Sequence, residues 1–176
     1  MGIGGGDVTP EGEVLVRSGC SSVGQGLRTV LGQIVAEVLD VDLERVRVEL
    51  LDTDRTGYGT GSYASRSTAT GGSAVYLSAQ RVVEKAKEVA ARRLQVDAGD
   101  LIVKDGGLEV TRTSQLRMSF ADVAAALDPV GARNFGMLPG LRAEDYFHVT
   151  KLTYPYGAHA AVVSIDPGRV FQRLTS

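Results

Sequence analysis

A single cysteine, Cys20, stands in these 176 residues. One thiol excludes an internal disulfide framework and any metal site built from several cysteines. There are two histidines, His148 and His159, neither with a partner histidine nearby in sequence. A metal site needs several convergent ligands, so both are expected to pack or hydrogen-bond within strands, and no metal ligand is assigned. Excess charge is also missing: 19 basic residues meet 21 acidic ones for a net charge of −2. That gives no electrostatic case for nucleic acid or for an acidic membrane surface. No apolar run is long enough to cross a bilayer. The start, Met1 to Gly6, has neither the basic nor the apolar part of a secretion signal, so a cytoplasmic location is expected.

What remains is ordinary globular composition, 43% hydrophobic and 23% charged, in a length that suits one compact domain. Glycine is the exception, at 22 residues. Much of the excess falls in or beside two small-residue loops. One runs Cys20-Ser21-Ser22-Val23-Gly24-Gln25-Gly26, the other Tyr58-Gly59-Thr60-Gly61-Ser62-Tyr63-Ala64-Ser65-Arg66-Ser67-Thr68. Each opens into a strongly patterned helix. Helix starts carry free N–H groups and partial positive charge, so each loop is a potential anion cradle.

The pattern along the chain predicts a strand over 13–17 and a helix over 26–39, with Leu27, Val30, Leu31, Ile34, Val35 and Val38 on one face. Residues 45–50 alternate as a half-buried strand. A long helix is expected over about 67–94, with Val75, Ala79, Val82, Ala86 and Val89 as its buried stripe. Gly71 and Gly72 weaken its first turns, which calls for a packing or ligand reason. A hairpin turns at Asp105-Gly106, and Ser119 with Asp122 caps a short helix. Residues 128–146 read as irregular. Strands are expected over 147–154 and 159–165, the second apolar enough to be central. Asp166-Pro167-Gly168 then turns the chain into a last strand from Val170 to Leu174. The order β-α-β-α-β-β-α-β-β describes an α+β domain, two main helices on a mixed or antiparallel sheet. Residues 1–12 are expected to be a disordered or vector-derived start, and 13–176 the domain.

Each chemical candidate has a plain structural reading beside it. Gly24-Gln25-Gly26 either lets a ligand approach a helix start, with the Gln25 amide donating and accepting, or is a simple strand-to-helix turn. Ala64 to Thr68 offers hydroxyls, free N–H groups and the Arg66 guanidinium, which suit phosphate or a pterin, or else it is a polar N-cap. Asp52 and Asp54 flank Thr53 in an extended segment and so point apart; a turn role is expected. Cys20 reads as a small buried residue. No Ser/His/Asp set, phosphate-loop lysine or carboxylate pair is evident, and no catalytic residue is assigned.

Taken in order, these motifs resemble the large subunits of the molybdenum hydroxylases, the family of xanthine dehydrogenase, aldehyde oxidase and carbon monoxide dehydrogenase. The likeness runs from Gly24-Gln25-Gly26-Leu27-Arg28-Thr29 through Leu43-Glu44-Arg45-Val46 and Asp52-Thr53-Asp54. It continues through Ala64-Ser65-Arg66-Ser67-Thr68 to Tyr154-Pro155-Tyr156-Gly157-Ala158-His159. The chain departs from the family at Ser22, where an acidic residue is common, and at Gly168-Arg169, where the turn is shorter.

The resemblance implies part of a molybdopterin-binding domain, with Gly24, Gln25, Gly26, Ala64, Ser65, Arg66, Ser67 and Thr68 holding the cofactor in plain or dinucleotide form. It also implies electron-accepting iron–sulfur and flavin domains or subunits, together with the remainder of the catalytic subunit. The family's catalytic glutamate lies in a Gly-rich segment that these residues do not contain, so the isolated chain is expected to be an inactive fragment, its cofactor site empty. A fragment is also expected to expose apolar surface and to self-associate. Two other readings stay open on the residues alone: a stand-alone, non-redox module for a phosphorylated ligand, and a structural or assembly domain.

Overall fold

A computed structural model describes residues 2–151, 153–155, 157–164, 168 and 173–175. Its centre is a mixed four-stranded sheet in the order β3 (Val46–Leu50), β2 (Val14–Ser18), β1 (Gly2–Val8), β7 (Leu141–Phe147). β1 (Gly2–Val8) and β2 (Val14–Ser18) form an antiparallel pair. α1 (Leu27–Leu39) then carries the chain across to β3 (Val46–Leu50), which lies parallel to β2. A parallel neighbour requires such a crossover. Next comes a π-helical turn, Ser67–Gly72, running into α2 (Ser73–Leu94), which packs over β1. The expected stripe of Val75, Ala79, Val82, Ala86 and Val89 is buried. A three-stranded antiparallel sheet follows, built of β4 (Leu101–Lys104), β5 (Gly107–Val110) and β6 (Thr113–Ser119). Asp105 and Gly106, both at positive φ, make the β4–β5 turn. Ser119 and Asp122 form the full capping box of α3 (Phe120–Ala126). The core lies between α1, α2 and the central sheet, around Leu27, Leu31, Val35, Val14, Val16, Val75 and Val82.

Several expectations are corrected. Residues 2–8 are not disordered but form β1, the strand flanked by β2 and β7. Glycine disfavours strands by propensity, yet here its missing side chains let a helix come close. A Cβ on Gly4 would lie 2.4 Å from the Val75 backbone nitrogen. The irregular stretch expected over 128–146 contains α4 (Pro129–Phe135) and most of β7 (Leu141–Phe147). Asp128 caps α4 through its carboxylate and Pro129 opens it, a start signal that favours a helix. β7 escapes the apolar pattern because a charged side chain, Asp145, faces the helices, where Arg81 pairs with it at 2.6 Å.

The strand expected over 147–154 stops at Phe147, where the ladder to β1 ends at Gly2. The apolar run before Ile165 is not central. β8 (Val162–Ser164) pairs with β9 (Arg173–Thr175) in a separate ribbon, and Val162 is 74% exposed. His148 and His159 lie exposed outside strands. Apart from Gly168, the Asp166–Gly168 turn and the residues from Val170 to Gln172 lie outside the described residues.

The sheet's other face carries charge. Antiparallel register puts Asp7 opposite Arg142 and Gly5 opposite both Arg17 and Glu144. Burial pushes the Asp7 carboxyl above its usual range, although Arg17, Arg142 and Lys85 pull it down. A carboxyl with a raised folded pKa contributes stability that is full below its unfolded value of 3.8 and is lost as pH rises through the folded value. Asp7→Asn removes that loss. Thermal unfolding of both proteins should show the variant gaining on wild type between pH 3.5 and pH 7, by about 1 kcal/mol or less. A gap that is constant across that range contradicts the assignment.

Candidate functional site

Both glycine and serine loops leave the same end of the central sheet, and the structure joins them directly. The Ser21 N–H donates to the Ser62 hydroxyl at 3.0 Å, and that hydroxyl donates back to the Ser21 carbonyl at 2.6 Å. The Gly61 N–H donates to the Gly19 carbonyl at 3.3 Å. The backbones touch where they cross: a Cβ on Gly19 would lie 2.4 Å from the Tyr58 oxygen and 2.6 Å from Gly59 Cα. Two helix starts are thereby held side by side.

In the first wall, Gly26 caps α1 in the left-handed conformation, φ 72°, and no side chain caps its N–H groups. Gly24 is also at positive φ, and nothing lies within 4 Å of where either glycine's Cβ would sit. The glycines are needed for backbone shape, and the space above them is open. Gln25 folds into its own loop: its Nε2 donates to the Ser21 carbonyl at 3.0 Å and its Oε1 accepts the Val23 N–H at 2.6 Å. One amide hydrogen and one lone pair remain for another partner.

In the second wall, Ala64 and Ser65 both adopt left-handed backbone, φ 53° and 54°, an uncommon conformation for residues with a Cβ. The Thr153 hydroxyl braces them, 2.9 Å from the Ser65 carbonyl oxygen. Arg66 lies with its guanidinium 4.0 Å from the Tyr63 ring centroid and donates to the Thr60 hydroxyl. Its Nε is buried without a hydrogen-bond partner. A buried unpaired donor is costly, which marks a place where an acceptor fits. Ser67 and Thr68 open the π-helical turn.

Gly71 and Gly72 have a packing reason: a Cβ on Gly71 would meet Cys20 Sγ at 2.8 Å, and one on Gly72 would meet Ile34 Cδ1 at 3.0 Å. Cys20 is thus the buried small residue expected, 4% exposed. Asp52 makes a turn, accepting the Asp54 N–H at 3.0 Å. Sequence reasoning missed the braces: Gly19, Ser21 in its pairing with Ser62, and Thr153. Ser and Gly are too common in loops to signal a long-range contact, and Thr153 lies 88 residues from Ser65. Among the described residues no group of three or more His, Cys, Asp or Glu could hold a metal ion. No helix there is long and apolar enough to cross a membrane.

Paired helix starts on a mixed sheet set two groups of free N–H donors side by side, as an anionic ligand would need. Residues 7–174 match the family model of the molybdopterin cofactor-binding domain, and the chain belongs to that family, within the molybdenum hydroxylases. It is 41% identical over 164 residues to the gamma subunit of the 6-hydroxypseudooxynicotine dehydrogenase complex of Paenarthrobacter nicotinovorans, covering 93% of this chain and 20% of the relative. It is 35% identical over 161 residues to the carbon monoxide dehydrogenase large chain of Hydrogenophaga pseudoflava, covering 90% and 20%. Among solved structures, CO dehydrogenase from Oligotropha carboxidovorans superposes with a TM-score of 0.78 at 32% identity, over 88% of this chain and 19% of that one. Quinoline 2-oxidoreductase from Pseudomonas putida 86 superposes at 0.77 and 32% identity, over 99% and 22%. The chain therefore spans about a fifth of the length of the curated relatives it matches.

Proposed function

We propose that the joined loops form two walls of the molybdopterin site in a molybdenum-dependent hydroxylase or dehydrogenase. Gly24, Gln25 and Gly26 line one wall, and Ala64, Ser65, Arg66, Ser67 and Thr68 the other. The observation that carries this reading is the buried, unpaired Nε of Arg66 beside two helix starts that the Ser21–Ser62 bonds hold together. The donor set suits an oxygen-rich anion: helix N–H groups, hydroxyls and a guanidinium. When bound, the molybdenum cofactor, as plain molybdopterin or a dinucleotide, supplies a two-electron oxidation that places a water-derived oxygen on a C–H carbon or oxidises carbon monoxide.

This chain's residues bind and orient. Arg66 and the N–H groups of Ser67 and Thr68 neutralise anionic oxygens, while Gly24 and Gly26 allow backbone contact with the ligand. The remainder of the catalytic subunit, with iron–sulfur and flavin partners, supplies the reacting pocket and carries electrons away. The 176-residue chain alone does not turn over substrate, and it self-associates through exposed side chains such as Val130 and Val162, each 74% exposed.

The test is cofactor content of the purified intact protein. Arg66→Met should lower molybdenum and pterin per protomer about tenfold, and Gln25→Ala should lower both less. Full content in a folded Arg66→Met protein overturns the reading. Turnover by the 176-residue chain with an artificial electron acceptor overturns its expected inactivity.

A further inference from the structure

A cleft of about 390 Å³ is lined by strand residues of the central sheet and by Lys85 of α2. Strand register explains its shape. Glu49, Arg17, Gly5 and Glu144 form one row across β3, β2, β1 and β7, and Asp7 with Arg142 belongs to the next. Gly5 has no side chain, so the Gly5–Gly6 backbone lies open as a floor between longer neighbours. Lys85, Arg55 and Leu138 complete the lining. None of these residues belongs to the two loops of the proposed cofactor site.

Four cations line the cleft, Arg17, Arg55, Lys85 and Arg142, against one lining carboxylate, Glu144. Arg17 and Arg55 have counter-charges: Glu49 lies 3.7 Å from Arg17 and 3.2 Å from Arg55, and Asp7 3.9 Å from Arg17. Among the described residues Lys85 and Arg142 have no ion pair. Lys85 Nζ donates to the carbonyls of Leu138 at 3.0 Å and Gly140 at 2.6 Å, which leaves its third hydrogen uncommitted. The Arg142 stem runs beside the same Gly140, its Cγ and Cδ 3.8 Å from the place of a Gly140 Cβ. Two unpaired cations therefore converge on one residue. Burial first, and then Arg142, holds the Lys85 ammonium below its ordinary pKa, with Asp7 acting in the opposite sense. Asp7, opposite Arg142 in the β1–β7 register, acts on both cations from a distance, and among the described residues no carboxylate lies within ion-pair distance of either.

We propose that this cleft binds a compact polyanion with two or more anionic groups, a diphosphate or a tricarboxylate, held by Arg142 and Lys85 above the Gly5–Gly6 floor. Guanidinium matches phosphate and carboxylate alike through paired N–H bonds. Glu144, accepting the Tyr146 hydroxyl at 3.3 Å, forms the opposing wall and keeps the anionic groups on the cationic side.

Titration of the 15N-labelled 176-residue chain with pyrophosphate, citrate and orthophosphate, at constant ionic strength, tests this. Pyrophosphate or citrate should give saturable shifts at the amides of Gly5, Gly6, Ala143 and Glu144, and orthophosphate should bind more weakly. Whichever of the first two saturates earlier identifies the ligand class. Arg142→Gln should weaken binding about tenfold. Gly5→Val, whose Cβ meets only Ala143 O at 3.7 Å and Arg17 Cβ at 3.9 Å, should fill the floor and abolish binding while the protein stays folded. No saturable shift at those amides with any probe overturns the proposal. Saturation confined to the helix starts at 27–29 and 67–69, or unchanged affinity in both variants, also overturns it.

Discussion

Gly4→Val should destabilise the domain by about 3 kcal/mol or more and leave much of it unfolded at room temperature. Gly4 sits in the middle of β1, between β2 and β7. A Cβ there would lie 2.4 Å from Val75 N, 2.7 Å from Ala74 C and 2.7 Å from Val75 Cα. All three are helix backbone atoms, so no rotamer change relieves the clash; either α2 lifts from the sheet or β1 leaves it. Both routes expose the apolar layer under Val75 and Val82, and burial of that layer is the main stabilising term. The adjacent Gly5→Val is the control, since its Cβ meets ordinary contacts. Chemical denaturation and near-UV circular dichroism of the two variants should differ sharply. Equal, small losses in both would show that α2 does not press on β1 as described.

Gly19→Val should separate the two walls without unfolding the sheet. Its Cβ would enter the Tyr58 oxygen and Gly59 Cα at 2.4 and 2.6 Å, pushing residues 57–62 off the first loop and breaking the Ser21–Ser62 and Gly61–Gly19 bonds. If the site is as proposed, the intact variant should lose cofactor content about tenfold or more, because the binding groups are no longer preorganised. Amide exchange should speed up at residues 58–66 while α1 and α2 remain protected. Normal cofactor content in a folded Gly19→Val protein would refute the claim that the crossing builds the site.

Residues whose signals are local were legible in the sequence. α1, α2 and β3 follow apolar periodicity, and the hairpin at Asp105-Gly106 follows turn chemistry. The α3 capping box is carried by residues three apart. The two loops were visible for the same reason, since small residues before a patterned helix mark its start. Apart from α4, which carries a local start signal in Asp128 and Pro129, the elements missed are those whose local composition contradicts their place. β1 is glycine-rich, so its strand character depends on α2 lying against it. β7 carries Asp145 toward the helices, which is tolerable because Arg81, far away in sequence, neutralises it. β8 is apolar yet exposed, because an apolar run is silent about what covers it.

By itself, the sequence determined α1, α2 and α3, the α+β class, the family likeness and which loops carry donors. Periodicity, caps and turn residues act over a few residues, and their energetics are written in neighbouring side chains. Only the tertiary structure decided that the loops touch, through a backbone crossing at Gly19 and Gly59 and the paired Ser21 and Ser62. It alone left Arg66 Nε without a partner and gathered Arg142 and Lys85 over a glycine floor. These are distances between groups 40 or more residues apart, and they are set by sheet order and close packing rather than by any local preference.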